Sequence, residues 1–147
     1  MSTDNMTVDR RRKTMDAARN RRLTALLEDA EQSIAVHWER CRDRGVGGAT
    51  PEATARVDAC LRAYFASLKA LPPLAPEDRI VEQIARVFDE LMQLDAETGG
   101  GLLEDAERDL LHPLILNAAE AAGLDPYKFP RREPGGKRLD FSVARAR

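Results

Sequence analysis

Two cysteines and two histidines are all that 147 residues supply, and neither Cys41 nor Cys60 belongs to a Cys-x-x-Cys pair. That scarcity excludes a disulfide framework and a cysteine-rich zinc module. Both thiols are expected to stay reduced and to pack as small apolar groups. Aromatic residues are thin as well, at 5%, which leaves no row of rings on which bases could stack. Long apolar runs are missing too. Leu114 to Leu116 is the longest aliphatic stretch in the expected helices, far short of the roughly 18 or more residues that a bilayer crossing needs. The opening MSTDNMTVDRRRKTMDAARN is positively charged but lacks the apolar block of a secretory signal. Cytoplasmic residence is therefore expected.

What is present favours helices. The chain is the size of one domain, large enough to bury a core without staples. It holds 22 Ala and 17 Leu against 18 Val, Ile and Thr together. Ala and Leu lose little freedom in a helix and β-branched residues lose more, so the expected class is all-α.

Four amphipathic segments can be read off the periodicity. Leu23, Leu26, Leu27, Ala30, Ile34, Trp38 and Cys41 fall within about 120° at helical spacing, a first stripe wide enough to face a core. The glycines of residues 45–48 end it. Thr50-Pro51-Glu52 opens a second helix with a capping hydroxyl, a proline at the first helical position and an early acid, and Ala53, Val57, Cys60, Leu61, Tyr64 and Leu68 share its inner side. The run Leu71-Pro72-Pro73-Leu74-Ala75-Pro76 cannot continue a helix and reads as a linker. The third helix opens at Pro76 and turns Ile80, Ile84, Val87, Phe88 and Leu91 inward, until the glycines of residues 99–101 stop it. The fourth carries Leu103, Ala106, Leu110, Leu111, Leu114, Ala118 and Ala121 on one face, with Asp105 the expected N-cap, and closes at Gly123. Pro113, lacking an amide hydrogen, should kink that helix or divide it near His112.

The expected fold is an antiparallel four-helix bundle with a kinked fourth helix and extended basic termini. Residues 1–22 form a basic N-terminal arm or a protruding extension of the first helix, 23–124 the bundle, and 125–147 a basic extended tail. Tyr127 and Phe129 are expected to pin the start of that tail to the bundle.

The net charge of −2 conceals a division. Residues 1–22 and 125–147 each carry +4 and the middle carries −10. Within residues 89–109, Asp89, Glu90, Asp95, Glu97, Glu104, Asp105, Glu107 and Asp109 face only Arg108. An acidic helix junction of this kind repels nucleic acid and attracts a basic protein surface. Glu90, Asp95, Glu97, Glu104, Asp105, Glu107 and Asp109 are accordingly the candidate partner-binding residues. Arg11, Arg12, Arg19 and Arg22 would share a side if the first helix extended upstream, and they are the candidate phosphate contacts of a third-ranked nucleic-acid reading. Nucleic acid and membrane are not the expected partners. A homodimer stays open, since a stripe wide enough for a core can also serve a dimer.

Chemistry is mostly absent. Asp109 and His112, three apart, could share a metal ion, and with Glu107 they define the alternative reading, a small helical enzyme or metal-binding protein. A di-iron bundle would need more ligands than two histidines allow. His37, inside the first apolar stripe, reads as a core histidine bonded to a polar neighbour. Neither glycine-rich stretch has P-loop or dinucleotide spacing. No cofactor, metal site or catalytic residue is expected, and the leaning is away from an enzyme.

Residues 99–124, GGGLLEDAERDLLHPLILNAAEAAGL, resemble the closing helix of small uncharacterised bacterial helical proteins. In these a Gly-Gly turn precedes Glu, an acidic Glu-Arg cluster and a terminal Ala-Ala-Gly-Leu. Gly99, Gly100, Glu104, Glu107, Arg108, Ala121, Ala122, Gly123 and Leu124 carry the likeness, and His112-Pro113 departs from it. The resemblance implies a fold rather than an activity. In general character the chain is also similar to the acidic helical immunity proteins that neutralise basic toxins. The leading expectation is thus a non-enzymatic interaction protein, immunity-like, that meets a basic partner.

Overall fold

The computed structural model describes residues 3–45 and 50–125. Four helices account for nearly all of them: α1 Thr3–Asp43, α2 Pro51–Lys69, α3 Glu77–Glu97 and α4 Asp105–Ala122. Among the described residues there is no strand, and no helix is long and apolar enough to cross a membrane. Residues 46–49 and the expected tail beyond Asp125, with Tyr127 and Phe129, lie outside the described residues.

α1 is one continuous helix of 41 residues, about twice the length of its neighbours at 19, 21 and 18. Arg10 to Met15 are exposed, and full burial begins at Leu23. The start of α2 is built as its sequence dictates: Thr50 Oγ1 accepts the Ala53 amide at 3.1 Å and Pro51 takes the first helical position. α3 follows Pro76 with Glu77 and Asp78 in its first turn, where negative charge is favoured. α4 ends at Gly123, whose φ of 122° suits a residue without a Cβ.

α1 packs on α2 and α4, and α3 also packs on α2 and α4. α2 and α4 touch across the centre, while α1 and α3 make no close backbone approach among the described residues. One core results. Leu23, Ile34 and Trp38 meet Val57, Leu61, Tyr64, Phe65 and Leu68 of α2, Ile80, Ile84, Val87, Phe88, Leu91 and Leu94 of α3, and Leu111, Ile115, Leu116, Ala118 and Ala119 of α4. Truncating a side chain as buried as Phe65 or Phe88 to Ala costs about 3–5 kcal/mol.

The expected stripes of α2 and α3 are buried, with Cys60 only partly so; in α1, Leu26, Leu27 and Ala30 are partly covered. α4 differs from its expected face. Ala106 is exposed, while Ile115, Leu116 and Ala119, which the single stripe left out, are buried. α1, α2 and α3 all pack against α4, so more than one of its sides is covered; the same holds for α2, where Phe65 is buried beyond the expected stripe. Pro113 sits on an exposed position, and α4 is not divided at His112. Between these helices the Tyr64 hydroxyl donates to the Ile115 carbonyl at 2.7 Å. Burial pushes the Tyr64 phenol well above its ordinary range.

Candidate functional site

The end of the molecule where α1 finishes and α3 hands over to α4 is organised by two inward-facing carboxylates. Asp95, buried in the last turn of α3, accepts the amides of Leu102 at 3.0 Å and Leu103 at 2.8 Å through one oxygen. Those bonds satisfy two amides of the connecting loop and set where α4 begins. Glu104, not Asp105, is the N-cap, and Glu107 three residues on reaches back to accept the Glu104 amide at 3.0 Å through Oε1. That contact belongs to a capping box between Glu104 and Glu107, a device that favours Glu at this position.

The other oxygen of Glu107 faces α1. Its Oε2 lies 2.5 Å from His37 Nε2, and the same nitrogen is 3.5 Å from Cys41 Sγ. His37 and Cys41 stand four apart on α1, one turn along the same side. Burial, reinforced by the charge of Glu107, pushes the Cys41 thiol up, against the opposing pull of Arg44 and Arg42. His37 is therefore bonded to a polar neighbour, as its position in the stripe suggested, and that neighbour is an acid from α4.

These groups line a cleft of about 770 Å³, whose walls also include Arg40, Arg44 and Arg108 and the exposed Glu104 and Asp105. The cleft is thus mixed in charge. The arrangement is not that of a nucleophile relay, which needs the thiol on one imidazole nitrogen and the carboxylate on the other. Here both address Nε2.

The seven carboxylates singled out from the sequence are not equivalent. Asp95 and Glu107 are buried and bonded within the fold. Glu97 is exposed and pairs with Arg56 at 2.8 Å. Glu90 is half-buried and shares a hydrogen bond with Cys60, whose thiol is raised first by burial and then by Glu90's charge. Glu104, Asp105 and Asp109 are exposed along the start of α4. Among the candidate phosphate contacts, Arg11, Arg12 and Arg22 are exposed, but Arg19 is committed: it donates to the Lys69 carbonyl at 2.8 Å and pairs with Asp16 at 3.2 Å.

No protein-family model, curated protein or solved structure matches this chain.

The alternative trio of Asp109, His112 and Glu107 does not assemble. His112 is buried with its ring 5.6 Å from that of Phe88, Asp109 is exposed, and Glu107 turns to α1. Among the described residues, the group of three or more metal-ligating side chains that does converge is His37, Cys41 and Glu107. The usable signal for it in the sequence was the four-residue spacing of His37 and Cys41. Glu107 signalled only that it falls on the apolar side of α4; that it meets His37 depends on the packing of α4 against α1.

Proposed function

We propose that this chain is a non-enzymatic interaction protein that receives a basic protein partner at the end of the fold formed by the last turns of α1 and the α3–α4 junction. The observation that carries the reading is the division of labour among the acids there. Asp95 and Glu107 hold the end together from inside, while Glu104, Asp105 and Asp109 lie exposed along one helix start beside a cleft. Exposed like charges concentrated on a rigid element accelerate encounter with an oppositely charged surface and orient it. An immunity-like inhibitor acting in the cytoplasm, covering the basic face with which its partner grips phosphates, is the form we favour.

We infer in the same terms that the helices alternate in direction, with α4 bent at Pro113. Contacts that support the alternation join the start of one helix to the end of the next: Arg56 to Glu97, and Glu77 to the Asp125 amide just past α4.

A lysine-rich peptide titrated into isotopically labelled protein tests the docking. The expected shifts cluster on residues 104–109 and the cleft walls, fade with added salt, and are lost when Glu104, Asp105 and Asp109 are all reversed to Lys in a protein that keeps its helical content. Shifts centred elsewhere, or unchanged by the reversals, overturn the reading.

A further inference from the structure

The atoms that close the His37 contact are also those that a transition metal would choose. His37 Nε2, Cys41 Sγ and Glu107 Oε2 meet from two helices, and the ligand atoms of these three residues lie within 4.8 Å of one another. One nitrogen, one sulfur and one carboxylate oxygen make a donor set of intermediate softness, suited to zinc rather than to calcium or magnesium, which take oxygen alone.

The spacing decides how much must move. A tetrahedral zinc ion with bonds of about 2.0–2.3 Å holds its ligand atoms roughly 3.3–3.6 Å apart. The Nε2–Sγ separation of 3.5 Å already meets that. The Nε2–Oε2 separation of 2.5 Å must open by roughly 0.8 Å. That opening takes small changes in the side-chain torsions of His37 and Glu107, since turning the carboxylate about its last bond alone would carry Oε1 off the Glu104 amide by as much as it moves Oε2. That amide, 3.0 Å from Oε1, is the kind of outer support that keeps a ligating carboxylate aimed. All three side chains line the cleft, so the remaining coordination position faces it.

We propose that His37, Cys41 and Glu107 form a zinc site with three protein ligands and a fourth position open to the cleft. It goes beyond partner docking and does not depend on it. Zinc and the hydrogen bond compete for the same atoms: the ion takes Nε2 of the neutral imidazole, whose ring proton then sits on Nδ1, and it expels the thiol proton of Cys41 to solvent as it binds. His112 and Cys60 take no part, being held against Phe88 and beside Glu90 respectively.

Cobalt(II), titrated into the full chain, is the probe. A thiolate bound to cobalt gives a near-ultraviolet charge-transfer band that a hydrogen-bonded thiol does not. The expected result is a band saturating at about one equivalent and bleached by zinc. It should be retained in Cys60→Ser, lost in Cys41→Ser and shifted about tenfold or more to higher cobalt in His37→Gln. Trp38, the chain's one tryptophan, has its ring 5.4 Å from that of His37, and its emission should fall in step with the band. That second readout needs no variant and stays valid if Cys41→Ser fails to fold. The proposal is overturned by no band in the wild type, a band that survives Cys41→Ser or disappears in Cys60→Ser, or a band with Trp38 emission unchanged.

Discussion

His37 and Glu107, 70 positions apart in the chain, meet through Nε2 and Oε2 at 2.5 Å and tie the last turns of α1 to the first turn of α4. Because the other oxygen of the same carboxylate caps the Glu104 amide at 3.0 Å, one side chain serves both a tertiary contact and a helix start. Glu107→Ala removes both and is expected to destabilise the fold by about 1–3 kcal/mol. Glu107→Gln, which keeps an oxygen for the amide, should cost less. Urea unfolding midpoints in chelator-treated buffer measure the difference, and equal losses would show that the cap contributes nothing.

Asp95 offers a sharper case, since one oxygen accepts two amides, those of Leu102 and Leu103. Asp95→Ala leaves both donors bare beside buried leucines, at about 1–3 kcal/mol for each donor that water cannot reach. Asp95→Asn keeps an acceptor and should fall between Asp95→Ala and the wild type. Thermal melting of the three proteins orders them.

Tyr64 gives the fold an alkaline limit. Its phenol is raised by burial and donates to the Ile115 carbonyl, so the folded state requires the protonated form. In the unfolded chain a tyrosine ionises at roughly pH 10. The contribution is therefore fully present below that pH and is lost as pH climbs through and beyond it toward the folded value. Guanidinium midpoints should hold up to about pH 10 and decline above it. In Tyr64→Phe the decline should be shallower, with about 1 kcal/mol lost at neutral pH.

Pro113 lies within α4 yet is exposed. A proline in a helix interior lacks a donor and crowds the preceding turn, so Pro113→Ala should raise stability by about 1–3 kcal/mol. A higher melting temperature with unchanged helical content is the expected outcome, and a lower one would mean that the ring makes contacts worth more than the helix bond.

Much of the fold was legible where the code is local. Thr50-Pro51-Glu52 became a helix start and Gly123 a helix end, because caps and φ preferences act over three or four residues. In α3, touched by two helices, periodicity picked out inner residues on one broad stripe. α2 and α4 are each touched by three helices, so burial runs beyond a single stripe: Phe65 in α2 and Ile115, Leu116 and Ala119 in α4 are buried outside it, while Ala106 is exposed. The N-cap moved from Asp105 to Glu104 because the loop before it is anchored by Asp95, eight residues back from Leu103. At the site, Glu107 and Asp95 differ from the other acids in sequence by falling on the apolar sides of α4 and α3, and both are buried; what each meets there, His37 for Glu107 and loop amides for Asp95, depends on packing that spacing does not show.

The two inward carboxylates act in sequence along the chain, and this shapes how that end of the molecule comes apart. Releasing Asp95 frees the loop that positions residue 104, and a displaced α4 start pulls Glu107 away from His37. Amide hydrogens at Leu102, Leu103 and Glu104 should then exchange with solvent deuterium together, as one locally unfolding unit below the global transition. The cleft would widen in a single step, shared between α3, α4 and the tip of α1.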